Sequence, residues 1–145
     1  MTEILFLCTG NSCRSQMAEA WVNTLHKGKI RAYSAGVRPE KAVMPLTVQV
    51  MREAGIDISA AKPKHLDVFK GRDFDCVITL CDSARQACPV YWGKAVKIHA
   101  GFDDPLALSE NAATPQEALS HYRRVRDELR GFVEKMPHNL TEDGK

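Results

Sequence analysis

Cys8-Thr9-Gly10-Asn11-Ser12-Cys13-Arg14-Ser15 lies between two stretches of different character. Before it, Glu3-Ile4-Leu5-Phe6-Leu7 is an apolar run that reads as a buried strand. After it, Gln16, Met17, Ala18, Glu19, Ala20 and Trp21 are good helix formers with apolar residues on one side. The octapeptide is therefore a strand-to-helix turn. Only five residues separate Cys8 from Arg14. So short a loop has to curl with its backbone N–H groups inward, and successive N–H groups beside a helix N-terminus make an anion nest. Thr9, Gly10, Asn11, Ser12 and Cys13 form that nest, and Arg14 adds a planar fork for two oxygens of a tetrahedral oxyanion. The Cys8 sulfur falls at the floor, where the same field should lower its pKa below the free value of about 8.5. A thiolate beneath a bound oxyanion is positioned to attack the central atom. The plainer alternative, a buried cysteine followed by a surface arginine, leaves the agreement of strand, spacing, Gly10 and helix unexplained.

Working outward, the 145 residues fit one domain with a proper core, and 44% apolar with 26% charged residues is ordinary for a soluble globular chain. A net charge of +2 argues for neither a nucleic acid nor a membrane partner. The chain enters a strand at once, so no signal peptide is expected. Five cysteines at these spacings do not form a secreted disulfide framework, which points to a reducing cytoplasm.

Periodicity places a first helix over Gln16 to His26, with Met17, Trp21 and Leu25 facing a sheet. A second strand covers Ile30 to Ala35, with Gly36 marking a turn. Pro45 opens a helix running through Leu46 to Ala54 and closed by Gly55. Pro63 to Lys70 is a polar connection with a short helical turn. Asp75 to Leu80 and Ala95 to His99 are the third and fourth strands, with a short polar segment, Asp82 to Ala87, between them. Gly101 to Pro105 is a loop. The stripe Ala118, Tyr122, Val125, Leu129, Phe132 and Met136 defines the last helix, and Pro137 to Lys145 should fray. Strands alternating with helices predict an α/β single domain: a four-stranded parallel sheet with helices on both faces. In such sheets the site lies beyond the carboxyl ends of the strands, where Cys8, Cys81 and Asp104 all fall.

Cys81 and Cys88 bracket a segment too polar for a core, which suggests thiol–disulfide exchange. Two structural thiols are the alternative. A zinc site fits less well, because Cys76, Cys81 and Cys88 lack the close paired spacing of zinc knuckles.

The Cys8-to-Ser15 loop resembles the phosphate loop of low-molecular-weight tyrosine phosphatases and of the arsenate reductases built on that fold. Over nearly the whole chain the closer resemblance is to thioredoxin-coupled arsenate reductases. It rests on Cys8 to Ser15, Thr79-Leu80-Cys81, Cys88-Pro89, Gly101-Phe102-Asp103-Asp104-Pro105 and Arg124-Val125-Arg126-Asp127-Glu128. Phosphatases lack the paired cysteines. They usually carry proline after the loop serine and aromatic residues after the Asp-Pro, where this chain has Gln16 and Leu106. The resemblance implies arsenate as substrate, with phosphate or sulfate as mimic. It also implies Cys8 as nucleophile, Asp104 as general acid, with Asp103 its rival, and Cys81 and Cys88 as resolving thiols recycled by thioredoxin. Ser15 is expected to donate a hydrogen bond to the Cys8 sulfur. Asn11, Glu19, Ser34 and Asp67 resemble a monovalent-cation site of some relatives, so a potassium ion is expected there and no tightly bound cofactor elsewhere. A monomer is expected. The competing readings are a phosphotyrosine phosphatase and a non-catalytic oxyanion-binding module.

Other residues read as structural. Cys13 should pack behind the loop and Cys76 in the core. The five histidines show no ligand spacing, and Arg123, Arg124, Arg126 and Arg130 form a solvated face with Asp127 and Glu128.

Overall fold

The computed structural model describes residues 1–88 and 92–141. Thr2–Cys8 forms β1, and Ile4, Leu5, Phe6 and Leu7 within it are fully buried. Unbroken apolarity over a strand requires cover on both faces, and β1 has it. Each such side chain contributes about 1.5–3 kcal/mol when fully buried, which anchors the strand that carries Cys8. β2 (Ile30–Gly36) pairs on one side of β1 and β3 (Cys76–Thr79) on the other, with β4 (Val96–His99) beyond β3. Every pairing is parallel, so the sheet runs β2-β1-β3-β4. The expected four-stranded parallel α/β domain is what the chain forms.

Successive side chains on β1 point to opposite faces. Ile4 and Phe6 enter a core shared with α1 (Arg14–Leu25), α2 (Pro45–Glu53) and α5 (Pro115–Glu134). Leu5 and Leu7 enter a second core with Phe69, Phe74, Val77 and Trp92. α3 (Asp82–Ala87), α4 (Pro105–Ser109) and a 3-10 turn at Leu66–Phe69 complete the elements. No helix among the described residues is long and apolar enough to cross a membrane.

Several local expectations change. Leu25 is 37% exposed, because the buried face of α1 is Met17, Ala18, Trp21 and Val22, and Leu25 sits at the fraying end. Gly36 makes no turn: it pairs with Cys8 inside the ladder. A Cβ there would stand 2.6 Å from the Thr9 carbonyl oxygen, so glycine is needed for close approach of β2 to the loop. Asp82–Ala87 is helical, with Ala84 its buried side chain. The basic stripe of α5 is not simply solvated. Arg123 and Arg126 both pair with Glu53 of α2, at 2.7 and 3.1 Å, and Arg126 Nη1 donates to the Val50 carbonyl at 2.9 Å. The tail expected to fray from Pro137 folds back at first: Asn139 is buried and donates to the Phe132 carbonyl at 2.9 Å. Its last four residues, 142–145, lie outside the described residues, as does Pro89.

Candidate active site

Loop residues 9–13 leave the carboxyl end of β1 and enter α1. The carbonyls of Cys8, Thr9, Gly10 and Ser12 accept from the amides of Val37, Arg38, Glu40 and Met44 at 3.2, 2.9, 2.9 and 2.9 Å. With the carbonyls taken up on the outside, the amides of Gly10 to Arg14 find no acceptor among the described residues. Unpartnered amides converging beside a helix N-terminus are an anion site. They surround a cavity of about 110 Å³ that is also lined by Cys8, Arg14, Glu40, Asp104 and Leu106. A larger cavity of about 840 Å³ lies at the amino-terminal edge of the sheet, among Arg72, Phe74, Trp92 and Lys94. It has neither nest nor paired thiols, so size does not mark the chemistry here.

Asn11 holds the loop. Its backbone is left-handed (φ 52°), a conformation asparagine tolerates better than most residues. Its Nδ2 donates to Ser15 Oγ (2.8 Å) and Ser34 Oγ (2.9 Å). Its Oδ1 accepts from the Lys64 amide (2.9 Å) and from Gln16 Nε2 (3.1 Å). Gln16, noted in the sequence only as a departure from the phosphatase pattern, also reaches the Asn11 and Lys62 carbonyls.

Arg14 is buried to 8% exposure. Its Nη1 donates to the Phe102 carbonyl at 2.9 Å, and Nη2 lies 3.7 Å from Asp104 Oδ2. Its Nε is buried with no partner among the described residues, a donor left for a ligand. Asp104 caps α4 through Oδ1, which accepts from the Leu106 amide at 3.0 Å. Asp103, the rival acid, does not line the cavity and is held by Arg124 at 3.0 Å. The same loop thus puts one aspartate in the cavity and ties the other to α5.

Cys81 is the N-cap of α3. Because β3 lies directly beside β1, Cys81 stands close to Cys8, and the ionisation of each thiol bears on the other. Cys81 Sγ also contacts Thr9 Oγ1 at 3.2 Å and accepts from the Ala84 amide at 3.4 Å. These contacts, that with Cys8 first, pull its pKa down to about 5. The Cys8 thiol is raised well above its ordinary value, chiefly by the hydrogen bond with Cys81 and then by burial, with Arg14 opposing. The sequence predicted the reverse for Cys8. The field of the loop acts on two neighbouring sulfurs, and it favours the thiolate at the better-solvated, better hydrogen-bonded Cys81. Cys88 sits at the other end of α3, half-buried, in a cleft with Thr79, Arg85, Lys97 and His99. Its pKa is raised by burial.

Ser15 Oγ accepts from Asn11, and no hydrogen bond from it to Cys8 is formed among the described residues. Ser12 and Cys13 are buried in the loop. Cys13 packs behind it in the core, as expected, with burial pushing its thiol up to about 12. Of the expected cation ligands, Asn11, Ser34 and Glu19 are linked, since Ser34 Oγ donates to Glu19 Oε1 at 2.9 Å. Burial raises the pKa of Glu19. The Asp67 carboxylate is 62% exposed, 3.5 Å from His65 Nδ1. Three of the four oxygen-bearing side chains therefore converge. Among the described residues no cluster of histidine, cysteine and carboxylate side chains suits a metal of the zinc type.

The arsenate reductase of Halalkalibacterium halodurans is 42% identical over 126 residues, covering 87% of this chain and 88% of the relative. That of Bacillus subtilis is 40% identical over 126 residues, with the same coverage. A solved arsenate reductase in the phosphate binding state superposes with a TM-score of 0.79 at 30% identity, over 97% of this chain and all of that one. A low molecular weight protein tyrosine phosphatase from T. tengcongensis gives 0.73 at 31% identity, over 94% of this chain and 97% of the other. The profile of the low molecular weight phosphotyrosine protein phosphatases matches residues 3–145, and the chain belongs to that family.

Proposed function

We propose that this protein reduces arsenate to arsenite through Cys8, Cys81 and Cys88, with thioredoxin as electron donor. The observation that carries the reading is the second thiol: Cys81, at the end of β3, stands beside Cys8 at the end of β1, and Cys88 waits at the far end of α3. A phosphatase needs one thiolate and water. Arsenic(V) accepts two electrons from thiols under mild conditions and phosphorus(V) does not, so a second and third thiol serve a reductase. The names and coverage of the relatives support the same substrate.

The oxyanion enters the nest against the amides of Gly10 to Arg14 and the open Arg14 Nε. Cys8 gives up its proton to the Cys81 thiolate, and the Cys8 thiolate attacks arsenic. Asp104 protonates the departing oxygen, which leaves as water. Cys81 releases its proton to solvent and attacks the Cys8 sulfur: the S–S bond forms, the S–As bond breaks, and its electron pair stays on arsenic as arsenite. Cys88 attacks Cys81 and frees Cys8 as a thiolate. The Cys81–Cys88 disulfide is reduced by the dithiol of thioredoxin. Seven residue steps at about 1.5 Å hold the Cα atoms of Cys81 and Cys88 roughly 10 Å apart while α3 stands, and a disulfide needs less than about 7 Å. The helix therefore unwinds in the last intramolecular step. A potassium ion would be held by the oxygens of Glu19 and Ser34, with Asn11 fixing Ser34 through Nδ2, and would neutralise Glu19. All five cysteines are free thiols, in keeping with a reducing cytoplasm; we expect a monomer.

The phosphatase reading retains the support of the Cys8, Arg14 and Asp104 set and of the family, and a weak phosphatase activity is expected. The test is a coupled assay of arsenate, thioredoxin, its reductase and reduced nicotinamide. Cys8→Ser should abolish arsenate reduction and phosphatase activity together. Cys81→Ser or Cys88→Ser should abolish turnover of arsenate alone, and normal turnover by Cys88→Ser would refute the relay.

A further inference from the structure

Glu40 stands at the rim of the oxyanion cavity, and the sequence gives no sign of it. The segment after β2 is fixed beside the loop by three backbone bonds, from Val37, Arg38 and Glu40 to the carbonyls of Cys8, Thr9 and Gly10. The Glu40 side chain then lies across Gly10. A Cβ added to Gly10 would stand 2.8 Å from Glu40 Cγ and 3.5 Å from Oε1. Glu40 lines the same small cavity as Cys8, Arg14 and Asp104. Glu40 is exposed, yet an ionised carboxylate at the rim of an anion nest is paradoxical on charge alone, because like charges brought close repel. The paradox disappears for an anion that brings its own proton. An ionised carboxylate accepts hydrogen bonds and donates none, so it requires an O–H on the ligand. Arsenate and phosphate carry at least one proton at neutral pH. Sulfate has the same tetrahedral shape and carries none.

We propose that Glu40 is a specificity residue: its carboxylate accepts a hydrogen bond from the protonated oxygen of an oxyanion in the loop and disfavours a fully ionised one, so that sulfate, expected above as a mimic, binds less well than phosphate. The two carboxylates of the cavity then have separate tasks. Asp104 must hold a proton to give, and Glu40 must be ionised to receive one. This rests on the reading of the loop as an arsenate site and narrows it to the hydrogen-bearing forms of the anion.

The test measures binding of phosphate and of sulfate to the whole protein by calorimetry at slightly acidic pH, in wild type, Glu40→Gln and Glu40→Asp. Wild type should prefer phosphate to sulfate. Glu40→Gln keeps the shape and offers an N–H, so it should bind sulfate about tenfold more tightly, the scale of one partly solvated like-charge contact, with phosphate changed less. Glu40→Asp keeps the charge and should still disfavour sulfate. An unchanged phosphate-to-sulfate ratio in Glu40→Gln overturns the role of Glu40 and leaves the loop reading intact. Equal gains in sulfate affinity for Glu40→Gln and Glu40→Asp assign the effect to packing on Gly10 and overturn it too. If wild type binds neither anion, the loop reading itself falls.

Discussion

Replacing Thr9 by valine removes one hydroxyl and little else, and it should make Cys81 a weaker acid. The Thr9 Oγ1 to Cys81 Sγ contact is 3.2 Å, and it is one of the hydrogen bonds that bring the Cys81 pKa to about 5. A hydrogen bond to a charged group is worth about 1.5–3 kcal/mol, and one pKa unit about 1.4 kcal/mol. Its loss should therefore raise the pKa by about one to two units, to roughly 6 or 7. The assay is alkylation with iodoacetamide across pH, with Cys81 resolved by mass spectrometry. The wild-type rate should rise to a plateau with a midpoint near pH 5, and the variant's midpoint should lie one to two units higher. Thiolate nucleophilicity rises with basicity, with a coefficient of about 0.4–0.5, so the variant's plateau should be about three- to tenfold higher. The same variant should lose arsenate turnover on the acid side of its new midpoint and keep it above. Phosphate binding, measured in parallel, reports whether the loop survives. A midpoint that does not move, with phosphate still bound, would refute the assignment of the Thr9 hydroxyl as a support of the Cys81 thiolate.

Asp104→Asn should slow the chemical step by about 10²–10⁴-fold, the usual cost of losing a general acid, with phosphate affinity kept; Asp103→Asn should be near normal, and the opposite pattern in single-turnover kinetics would exchange their roles. Hydrogen exchange should find the amides of Ala84 to Ala87 protected in the reduced protein and unprotected once Cys81 and Cys88 are bridged, while Cys76 to Thr79 stay protected. Unchanged exchange in the bridged protein, with the disulfide verified by mass spectrometry, would mean that the thiols meet without unwinding α3.

The nest was legible from residues 3 to 21 alone, because a buried strand, a helix and a five-residue gap leave the chain few ways to turn. The sheet was legible from the alternation of strands and helices. What pairs across the sheet was not. The nearness of Cys81 to Cys8 depends on β3 lying next to β1, and no local pattern states the strand order. The opposite shifts of the two thiols follow from that nearness, so they were hidden with it. Gly36 read as a turn because glycine usually marks one; its true reason, 2.6 Å of clearance to a carbonyl 27 positions earlier, is tertiary. α4 was missed because five residues hold no periodicity, although Asp104-Pro105 carries a cap and a first-turn proline in plain view. Arg123 and Arg126 looked solvated because arginine usually is, and only the approach of α2 gives them Glu53.

The bonds around Asn11 bear on how so small an anion can be held at all. A tetrahedral oxyanion has little surface to bury, so it cannot supply much free energy to put a loop in order. Fixing the backbone of one residue costs about 1–2 kcal/mol, or roughly 5–10 kcal/mol for Thr9 to Cys13. Asn11 binds this loop to Ser15, Gln16, Ser34 and Lys64 through bonds that do not involve the anion. The ordering entropy is therefore incurred once, when the chain folds, and is not deducted from each binding event. The ligand meets a preorganised mould. The corollary is rigidity of choice: a loop knotted at its middle cannot widen for a planar or bulkier anion, so shape is discriminated before charge or chemistry is consulted.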